Sequence, residues 1–275
     1  MLQVHLVRVT EAFPAGPPDD SRAPHTSLDE LLELVDPQKR SDVAGFRFLR
    51  DAQRCLLGRL LARHVATVRL DTEWSRLTFA RTERGRPYLT EPSLLASTFD
   101  YNVSHDSDLV AVASLASSTL PQCRVGIDIM RIRNPWDGTN PSEFIDGIAE
   151  QLTSGELVRI RTEPDDEARL KHALALWTLK EAYVKATGDG LHLDLSRLDF
   201  AVNLQDSGGT AQLDGRSLAG WRFHLVFLRE EGEPYCLAVA EQAEVEQGEI
   251  HVCREGPTWV QTVGLQQIKQ RAQQS

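Results

Sequence analysis

The chain has 275 residues, of which 41% are apolar, enough to bury the core of one large domain or two smaller ones. Thirty basic and 40 acidic side chains give a net charge of −10, which argues against bulk nucleic-acid binding because that function needs a basic surface. The apolar runs are far shorter than the roughly 20 residues of a membrane span. We therefore expect a folded cytoplasmic protein that binds neither nucleic acid nor membrane.

The first eight residues alternate like a strand and lack the basic, apolar and small-residue blocks of a secretory signal. The cysteines are far apart and form no C-x-x-C pair. Reduced thiols in a cytosol-like compartment fit this spacing, whereas a disulfide framework or a zinc finger does not. The cysteines are Cys55, Cys123, Cys236 and Cys253.

The first half of the chain is predicted to form short strands around one long helix. A strand to about Val9 precedes a loop over 14–24 and a short helix capped by Ser27. Apolar positions at spacings of three, four and seven predict a helix over 41–68 with an aliphatic inner face and an arginine outer face. The strands expected after it cover 77–80, 88–89, 99–104 and 109–113.

The second half, after a linker at Leu120-Pro121, repeats this plan. A strand at 125–129 and an irregular segment at 134–141 come first, followed by helices at 142–152, 154–161 and 166–187 and strands at 198–202, 221–228 and 236–240. We therefore predict an α+β fold of two pseudo-symmetric halves, each a small antiparallel sheet packed against a long helix, with the active site in the cleft between them. The predicted divisions are 1–120, 121–240 and a polar C-terminal tail over 241–275.

Basic residues are concentrated between Lys39 and Arg69, where the local net charge is +6. Most of these arginines fit the solvated face of an amphipathic helix. An anionic partner docking on the same stretch is the alternative, and a second site converging on it would favour that alternative.

Two sequence clusters suggest chemistry. Trp177, Glu181 and Lys185 recur every four residues and so share one helix face, although an i,i+4 Glu-Lys pair is common and worth only about 0.2–0.5 kcal/mol. Asp128 interrupts an otherwise apolar strand, and a buried carboxylate is costly unless it is paired or binds a metal. A position at the edge of a loop would explain Asp128 equally well.

A third cluster is the polar segment 102–108, which we interpret as a turn closing a strand pair. Upstream, 81–87 is a basic turn containing Gly85. Each of these two segments also fits an ordinary hairpin loop.

In this order and spacing, the motifs resemble the 4′-phosphopantetheinyl transferase superfamily, in particular its two-domain, single-chain class. The shared motifs are a G-[KR]-P turn at Gly85–Pro87, an N-x-S-H turn at Asn102–His105, a G-[IV]-D strand at Gly126–Asp128 and a [WF]-x-x-K-E-[AS]-x-x-K helix at Trp177–Lys185. Residues 51–59 also match the first long helix of the family. The resemblance covers about 46–240 and is closest to the broad-specificity eukaryotic branch that activates aminoadipate-semialdehyde dehydrogenase.

The resemblance implies a holo-[acyl-carrier-protein] synthase. Such an enzyme uses Mg²⁺ to transfer the 4′-phosphopantetheine arm of coenzyme A to a serine of an apo carrier protein, releasing adenosine 3′,5′-bisphosphate. Its partner is an acyl or peptidyl carrier protein, or a carrier domain of a larger synthase or reductase. A noncatalytic coenzyme A or nucleotide-binding protein and a Mg²⁺-dependent phosphodiester hydrolase remain alternatives. Two halves in one chain favour a monomer.

The resemblance also implies roles for individual residues. Asp128 and Glu181 would hold Mg²⁺, and Glu181 would activate the carrier serine directly or through water. Lys185 would join Glu181 as a catalytic residue by neutralising the pyrophosphate. The residues implied to bind coenzyme A are Arg81, Arg84, Arg86, Asn102, Ser104, His105, Lys180 and Lys185.

The chain departs from the family pattern at two positions. Met130 stands where many members have a second acidic metal ligand, and a thioether is a poor ligand for Mg²⁺. Asp106 is our candidate replacement, with water as the simpler alternative. Asp42 stands where relatives often place a basic phosphate-binding residue, and the candidates to take over that role are Lys39, Arg40 and Arg47.

Overall fold

The structure is a computed structural model that describes residues 1–14, 28–116, 123–136, 138–254 and 256–274, apart from the side chain of Leu191. Chain contacts divide it into two compact units. Unit 1 comprises Met1–Cys123 and Trp259–Ser275, and unit 2 comprises Arg124–Thr258. Among the described residues, no helix is both long enough and apolar enough to cross a membrane.

The first part of unit 1 alternates short helices and strands around one 21-residue helix. The elements are β1 (Leu2–Arg8), α1 (Val9–Ala12), α2 (Asp29–Leu32), α3 (Pro37–Ala44), α4 (Leu49–Arg69), β2 (Thr78–Arg81), β3 (Pro87–Glu91), α5 (Ser93–Ala96), β4 (Phe99–Asp106) and β5 (Leu109–Ala116).

Unit 2 contains a larger sheet and a 22-residue helix. Its elements are β6 (Val125–Arg131), α6 (Pro141–Gly147), α7 (Ser154–Arg161), α8 (Asp166–Thr187), β7 (Leu198–Val202), β8 (Gly208–Leu213), β9 (Arg216–Ser217), β10 (Trp221–Glu230), β11 (Glu233–Gln242) and β12 (Gly248–Cys253). The chain then returns to unit 1 with β13 (Val260–Thr262) and α9 (Leu265–Gln273).

The core of unit 1 lies between α4 and a sheet of order β13-β1-β5-β4. Strands β1, β5 and β4 pair antiparallel, whereas β13 pairs parallel to β1. Leucines at three- and four-residue spacing give α4 an apolar face that contacts β4 and β5, with Leu56 and Leu60 fully buried. Strands β2 and β3 form a separate hairpin.

The core of unit 2 lies between α8 and a sheet of order β6-β11-β10-β12-β8-β7, with β9 paired to β8. All pairs are antiparallel except β10 with β12. Helix α8 begins at its cap Asp165, whose carboxylate accepts a hydrogen bond from the Ala168 amide, and ends at Gly188 with φ of 76°. These features confirm the predicted α+β fold with two units, each a mainly antiparallel sheet packed against a long helix.

The predicted helix over 41–68 is wrong at its start. Helix α3 ends at Ala44, and α4 begins only at Leu49 after Phe48, which has extended backbone angles. The arginines of α4 are also less solvated than expected for an outer face, because several pair with aspartates and Arg63 is buried.

The segment predicted to be a C-terminal tail contains regular structure instead. Strand β12 pairs with β10 and β8 in unit 2, and β13 and α9 pack in unit 1, where Ile268 is fully buried. Ile250 and Ile268 are buried, but most residues of 241–275 are polar, which explains why composition alone suggested a tail. The predicted loop over 14–24 lies almost wholly, and the Ser27 cap and the linker at Leu120-Pro121 entirely, outside the described residues.

Candidate active site

Strand β6 and helix α8 of unit 2 bring together three predicted residues. Lys185 Nζ lies 2.6 Å from Asp128 Oδ1, and Asp128 is only 7% exposed. Glu181, one helical turn before Lys185, lies close enough to Asp128 for the two carboxylates to repel one another. Trp177, on the same helix face, packs against the apolar core of the unit.

The absence of a side chain at Gly126 allows this arrangement. A Cβ atom there would lie 2.0 Å from the Ala182 carbonyl oxygen and 2.4 Å from the Ala186 amide nitrogen, both in the backbone of α8. Gly126 and Asp128 are two residues apart on β6 and so share one face of the strand. The close approach of the two backbones therefore presents Asp128 to the helix face that carries Glu181.

The electrostatics of this cluster favour proton uptake by Glu181. Burial, followed by the charge of Asp128, raises the pKa of Glu181 above its ordinary value, while Lys185 lowers it. A carboxyl group with a raised pKa is a stronger base once it is ionised. Glu181 is thus suited to take a proton from a bound hydroxyl group.

The carboxylates of Asp128 and Glu181 also decide whether a divalent cation fits this cluster. Within the described ranges, no group of three or more His, Cys, Asp or Glu side chains could hold a metal ion. Mg²⁺ is commonly bound by one or two carboxylates together with phosphate oxygens and water, and a cation would relieve the repulsion between Asp128 and Glu181. The donor set fits Mg²⁺ on these grounds. Met130 packs against the apolar core of unit 2.

Lys180 does not fit its predicted contact with a phosphate. Its side chain is fully buried, and its ammonium lies 2.7 Å from the Leu195 carbonyl, 2.6 Å from the Leu198 carbonyl and 2.8 Å from Glu156 Oε2. Three partners use all three donors of an ammonium group. That prediction is therefore wrong, because consecutive residues of a helix point about 100° apart and Lys180 faces the interior rather than the Glu181 side.

Unit 1 contains a cavity of about 280 Å³ lined mainly by α4, β2 and β4. Cationic groups dominate its charge, with Asp36 as its carboxylate. Aromatic walls come from Phe46, Phe79 and Tyr101. The basic groups are Lys39, Arg54, Arg59, Arg63, Arg81 and His105.

The predicted binding residues on β4 lie on both faces of that strand. The segment interpreted as an N-x-S-H turn is part of this strand, and the turn comes at Ser107, which has φ of 50°. Because strand side chains alternate, His105 lines the cavity, whereas Asn102 and Ser104 lie on the opposite face. Asp106 shares that opposite face, and its carboxylate accepts a hydrogen bond of 3.4 Å from the Ser107 hydroxyl.

The basic turn before β3 also separates its arginines. Arg81 lines the cavity and donates to the Gly85 carbonyl oxygen at 2.7 Å. Arg84 is exposed. Arg86 is buried and forms a bidentate ion pair with Asp100, at 2.9 and 2.5 Å, so its charge is already balanced within the unit.

Asp42 stands where relatives often place a basic phosphate-binding residue. The three residues that we expected to replace it lie in different environments. Lys39 lines the cavity, Arg40 pairs with Glu33 at 3.0 Å, and Arg47 lies 5.2 Å from the ring centroid of Phe48. Asp42 itself pairs with Arg59 at 2.9 Å. Lys39 is therefore the candidate that the cavity supports.

Asp100 and Glu156 are among the buried acidic residues that sequence reasoning missed. The pattern Thr153-x-x-Glu156 is a capping-box signature, and the structure contains that capping box at the start of α7. The signature predicts a helix start but gives no sign that the same glutamate is fully buried against Lys180.

Two family models match the chain. One, described as 4′-phosphopantetheinyl transferase, N-terminal, matches residues 22–117, and the other, described as 4′-phosphopantetheinyl transferase superfamily, matches residues 124–240. Among solved structures, the holo-ACP-synthase of Plasmodium yoelii covers 44% of this chain and 94% of its own, with 16% identity and a TM-score of 0.32.

Several curated relatives carry transferase names. A 4′-phosphopantetheinyl transferase of Paxillus involutus is 33% identical over 223 residues, which cover 79% of this chain and 82% of the relative. A phosphopantetheinyl transferase of Thraustochytrium is 31% identical, covering 82% and 77%. The mouse L-aminoadipate-semialdehyde dehydrogenase-phosphopantetheinyl transferase is 32% identical over 200 residues, covering 70% of this chain but only 63% of the relative.

Proposed function

This chain belongs to the 4′-phosphopantetheinyl transferase superfamily, and on that premise we propose that it transfers the 4′-phosphopantetheine arm of coenzyme A to a serine hydroxyl of an apo carrier protein. The serine oxygen forms a bond to the phosphorus that carries the pantetheine arm. The bond from that phosphorus to the bridging pyrophosphate oxygen breaks, and adenosine 3′,5′-bisphosphate leaves.

The observation that carries the proposal is the cluster of Asp128, Glu181 and Lys185 in unit 2. Transfer of a phosphorylated group depends on positioning and on neutralising negative charge more than on covalent chemistry by the protein. A lysine held 2.6 Å from one of two crowded carboxylates supplies a cation next to groups that can take a proton.

Glu181 is the proposed general base. Its carboxyl group is beside Asp128 and one helical turn from Lys185, and burial followed by Asp128 raises its pKa in the absence of a metal ion. The proton moves from the serine hydroxyl to a Glu181 carboxylate oxygen, directly or through one water molecule, as the oxygen attacks phosphorus. Lys185 donates hydrogen bonds to the pyrophosphate oxygens and orients Asp128.

Asp128 and Glu181 are the proposed ligands of Mg²⁺. When bound, this ion would neutralise the pyrophosphate and stabilise the leaving group. Phosphate oxygens and water would supply the remaining ligands.

The cavity of unit 1 is the proposed site for an anionic, adenosine-containing part of coenzyme A. Arg81, His105 and Lys39 line it and can bind phosphate oxygens, while Phe79 and Tyr101 offer aromatic surface to a base. The bidentate pairing of Arg86 with Asp100 favours a supporting role for Arg86, holding the turn that presents Arg81.

The proposed partner is an acyl or peptidyl carrier protein, or a carrier domain of a larger enzyme. We further propose that the protein works in the cytoplasm. We also propose that it is a monomer, because one chain already contains two α+β units. Light scattering of the purified protein would test the monomer, since a doubled mass would exclude it.

The experiment that tests the function is intact-mass spectrometry of an apo acyl carrier protein incubated with this protein, coenzyme A and Mg²⁺. We expect the carrier to gain the mass of one phosphopantetheine group, and we expect a chelator to prevent the gain. A carrier whose modified serine is replaced by alanine is the matched control and should stay unmodified.

Each alternative predicts a different result in the same mixture. A noncatalytic binder would retain coenzyme A while several unrelated carriers kept their apo mass. A phosphodiester hydrolase would release adenosine 3′,5′-bisphosphate without any carrier present. Either result would replace the proposed transferase.

A further inference from the structure

The buried pair Glu156 and Lys180 links helix α8 to three other parts of unit 2. Neither side chain has measurable exposure, and Lys180 Nζ lies 2.8 Å from Glu156 Oε2. Lys180 also donates to the carbonyl oxygens of Leu195, in a 3₁₀ turn, and Leu198, at the start of β7.

The glutamate end of the pair is bonded just as fully. Glu156 Oε1 accepts from the Phe200 amide of β7 at 3.0 Å, and Glu156 Oε2 accepts from the Thr153 amide at the N-terminus of α7 at 2.8 Å. The carboxylate therefore ties α7 to β7 while it binds the ammonium of α8. A hydrogen-bonded pair of this kind has a single favourable geometry.

Stability alone is a poor explanation for such a pair. Removing both charges from water offsets much of their attraction, and apolar residues of similar volume are often as stabilising or more so. The pair is better explained by the unique orientation it imposes on the elements it joins.

The orientation of α8 determines the position of Glu181, which follows Lys180 in the chain. On one side, α8 lies against β6, where the missing Cβ of Gly126 allows backbone contact at Ala182 and Ala186. Roughly 120–160° around the helix from that contact, Lys180 is fixed by its three partners. Two restraints on different sides of a helix prevent it from rolling about its axis.

Resting on the proposed transfer reaction, we propose that Glu156 and Lys180 are positioning residues that fix the rotation of α8 and thereby hold the Glu181 carboxylate beside Asp128. Without this restraint, repulsion between the two carboxylates would favour a small rotation that separates them. Neither member of the pair touches substrate in this role.

The test is the double variant Lys180→Met with Glu156→Gln, which removes both charges while nearly keeping side-chain volume. Lys171→Met, on the same helix and partly exposed, is the matched control. We expect the double variant to fold with a lowered urea midpoint, because the carbonyl oxygens of Leu195 and Leu198 lose their donor. We expect kcat to fall about 10- to 100-fold with KM for coenzyme A within about twofold, because a misplacement near 1 Å can cost that much rate. Lys171→Met should match wild type in kcat and KM, and the loss of its contact with the Phe227 ring should lower its urea midpoint only slightly.

A crystal structure of the double variant gives a second readout that needs no turnover. We expect the Glu181 carboxylate to shift by about 1 Å or more relative to Asp128. An unmoved Glu181 overturns the inference, as does a folded double variant with wild-type kcat. A wild-type chain that modifies no carrier would defeat the proposed function but leave this structural test intact.

The single variant Glu156→Gln keeps the inference testable if the double variant does not fold. It retains an oxygen acceptor and leaves the two carbonyl contacts of Lys180 in place, so we expect a folded protein with a several-fold lower kcat. Failure of both variants to fold would overturn the inference, because the pair would then be required for the fold rather than for the position of Glu181.

Discussion

The long helices of both units pair basic with acidic side chains, but α8 also brings a carboxylate of its own close to a second, buried one. The arginines of α4 in unit 1 pair with aspartates from elsewhere in the unit or from their own helix, as in Arg50–Asp108, Arg54–Asp51, Arg59–Asp42 and Arg63–Asp36. Helix α8 of unit 2 instead buries Lys180 and brings Glu181 close to Asp128. Unit 1 therefore surrounds a cavity with cations that are partly neutralised, whereas unit 2 holds two carboxylates close together with one lysine beside them.

This difference indicates which ligand charge each unit can accept. A cavity lined by several cations stabilises an anion, and two crowded carboxylates stabilise a cation or a proton. The predictions that follow test each half of this comparison, beginning with the carboxylates.

The largest effect is expected when one of the crowded carboxylates loses its charge. Glu181→Gln and Asp128→Asn should each lower kcat/KM for carrier modification about 10³-fold, because each removes a proposed metal ligand and Glu181→Gln also removes the proposed base. Carrier mass measured over time gives the rate.

Asp166→Asn, an exposed change in the first turn of α8, is the matched control and should stay within about twofold of wild type. Urea midpoints near wild type would show that the inactive variants are folded. Near wild-type rates in Glu181→Gln or Asp128→Asn would show that the proposed active site does not lie in unit 2.

Replacing one glycine at the helix–sheet contact of each unit compares how tightly the two units are packed there. In unit 2, Ala at position 126 would place Cβ against the backbone of α8, which cannot move without shifting the helix. In unit 1, Ala at position 58 would meet Val103 Cγ1 at 3.1 Å, a side-chain atom that can adjust. We expect Gly126→Ala to lower the free energy of unfolding by about 2–3 kcal/mol.

Gly58→Ala should change that free energy by less than about 1 kcal/mol, because Ala favours the helix while the contact opposes it. Urea denaturation of both variants measures the difference. Equal losses at the two positions would show that the backbone contact at Gly126 has no special role in placing Asp128.

A change in the cavity of unit 1 tests its preference for an anion. Arg81→Ala removes a cation that lines the cavity and should raise KM for coenzyme A about tenfold, with kcat changed little. Arg76→Ala removes an equal charge from an exposed position outside the cavity and should leave KM within about twofold. Similar KM values for the two variants would argue that only the net charge of unit 1 matters.

The fold was predictable where local signals are strong. Helix α8 has a capping aspartate, a long apolar face and a terminal glycine with positive φ, and the predicted bounds of 166–187 agree with the structure. Strands β12 and β13 were missed because their pairing with β10 and β1 depends on distant residues. The split between α3 and α4 was missed because apolar periodicity continues across Gly45.

The candidate site was predictable to the same limited extent. Spacing of four residues placed Glu181 and Lys185 on one helix face, and the structure adds that Asp128 lies against that face. The burial of Lys180 was not predictable, because it depends on Glu156 in another helix. Their catalytic and binding roles remain predictions that the variants above address.

The smallest effect concerns the buried histidines, which also differ between the units. In unit 1, burial, followed by the positive charges of His64 and Arg69, lowers the pKa of His5 to about 4. In unit 2, burial lowers the pKa of His172, but a hydrogen bond from the His172 ring to the Glu163 carboxylate opposes the shift. No carboxylate is among the causes of the pKa shift of His5. Its burial is therefore not offset, and His5 resists protonation in the folded state.

The unfolded chain takes up a proton on His5 near its ordinary pKa of 6.5, while the folded chain does so only near 4, so this histidine contributes stability above pH 6.5 that is lost as the pH falls towards 4. Between pH 6.5 and 5.5 the loss should be about 1 kcal/mol, which urea denaturation can measure. In His5→Gln the dependence over that interval should be flatter by the same amount, whereas His172→Gln should flatten it less. An unchanged slope in His5→Gln would show that His5 gains a proton in the folded state as readily as in the unfolded chain, and that the cationic surroundings of β1 do not exclude it.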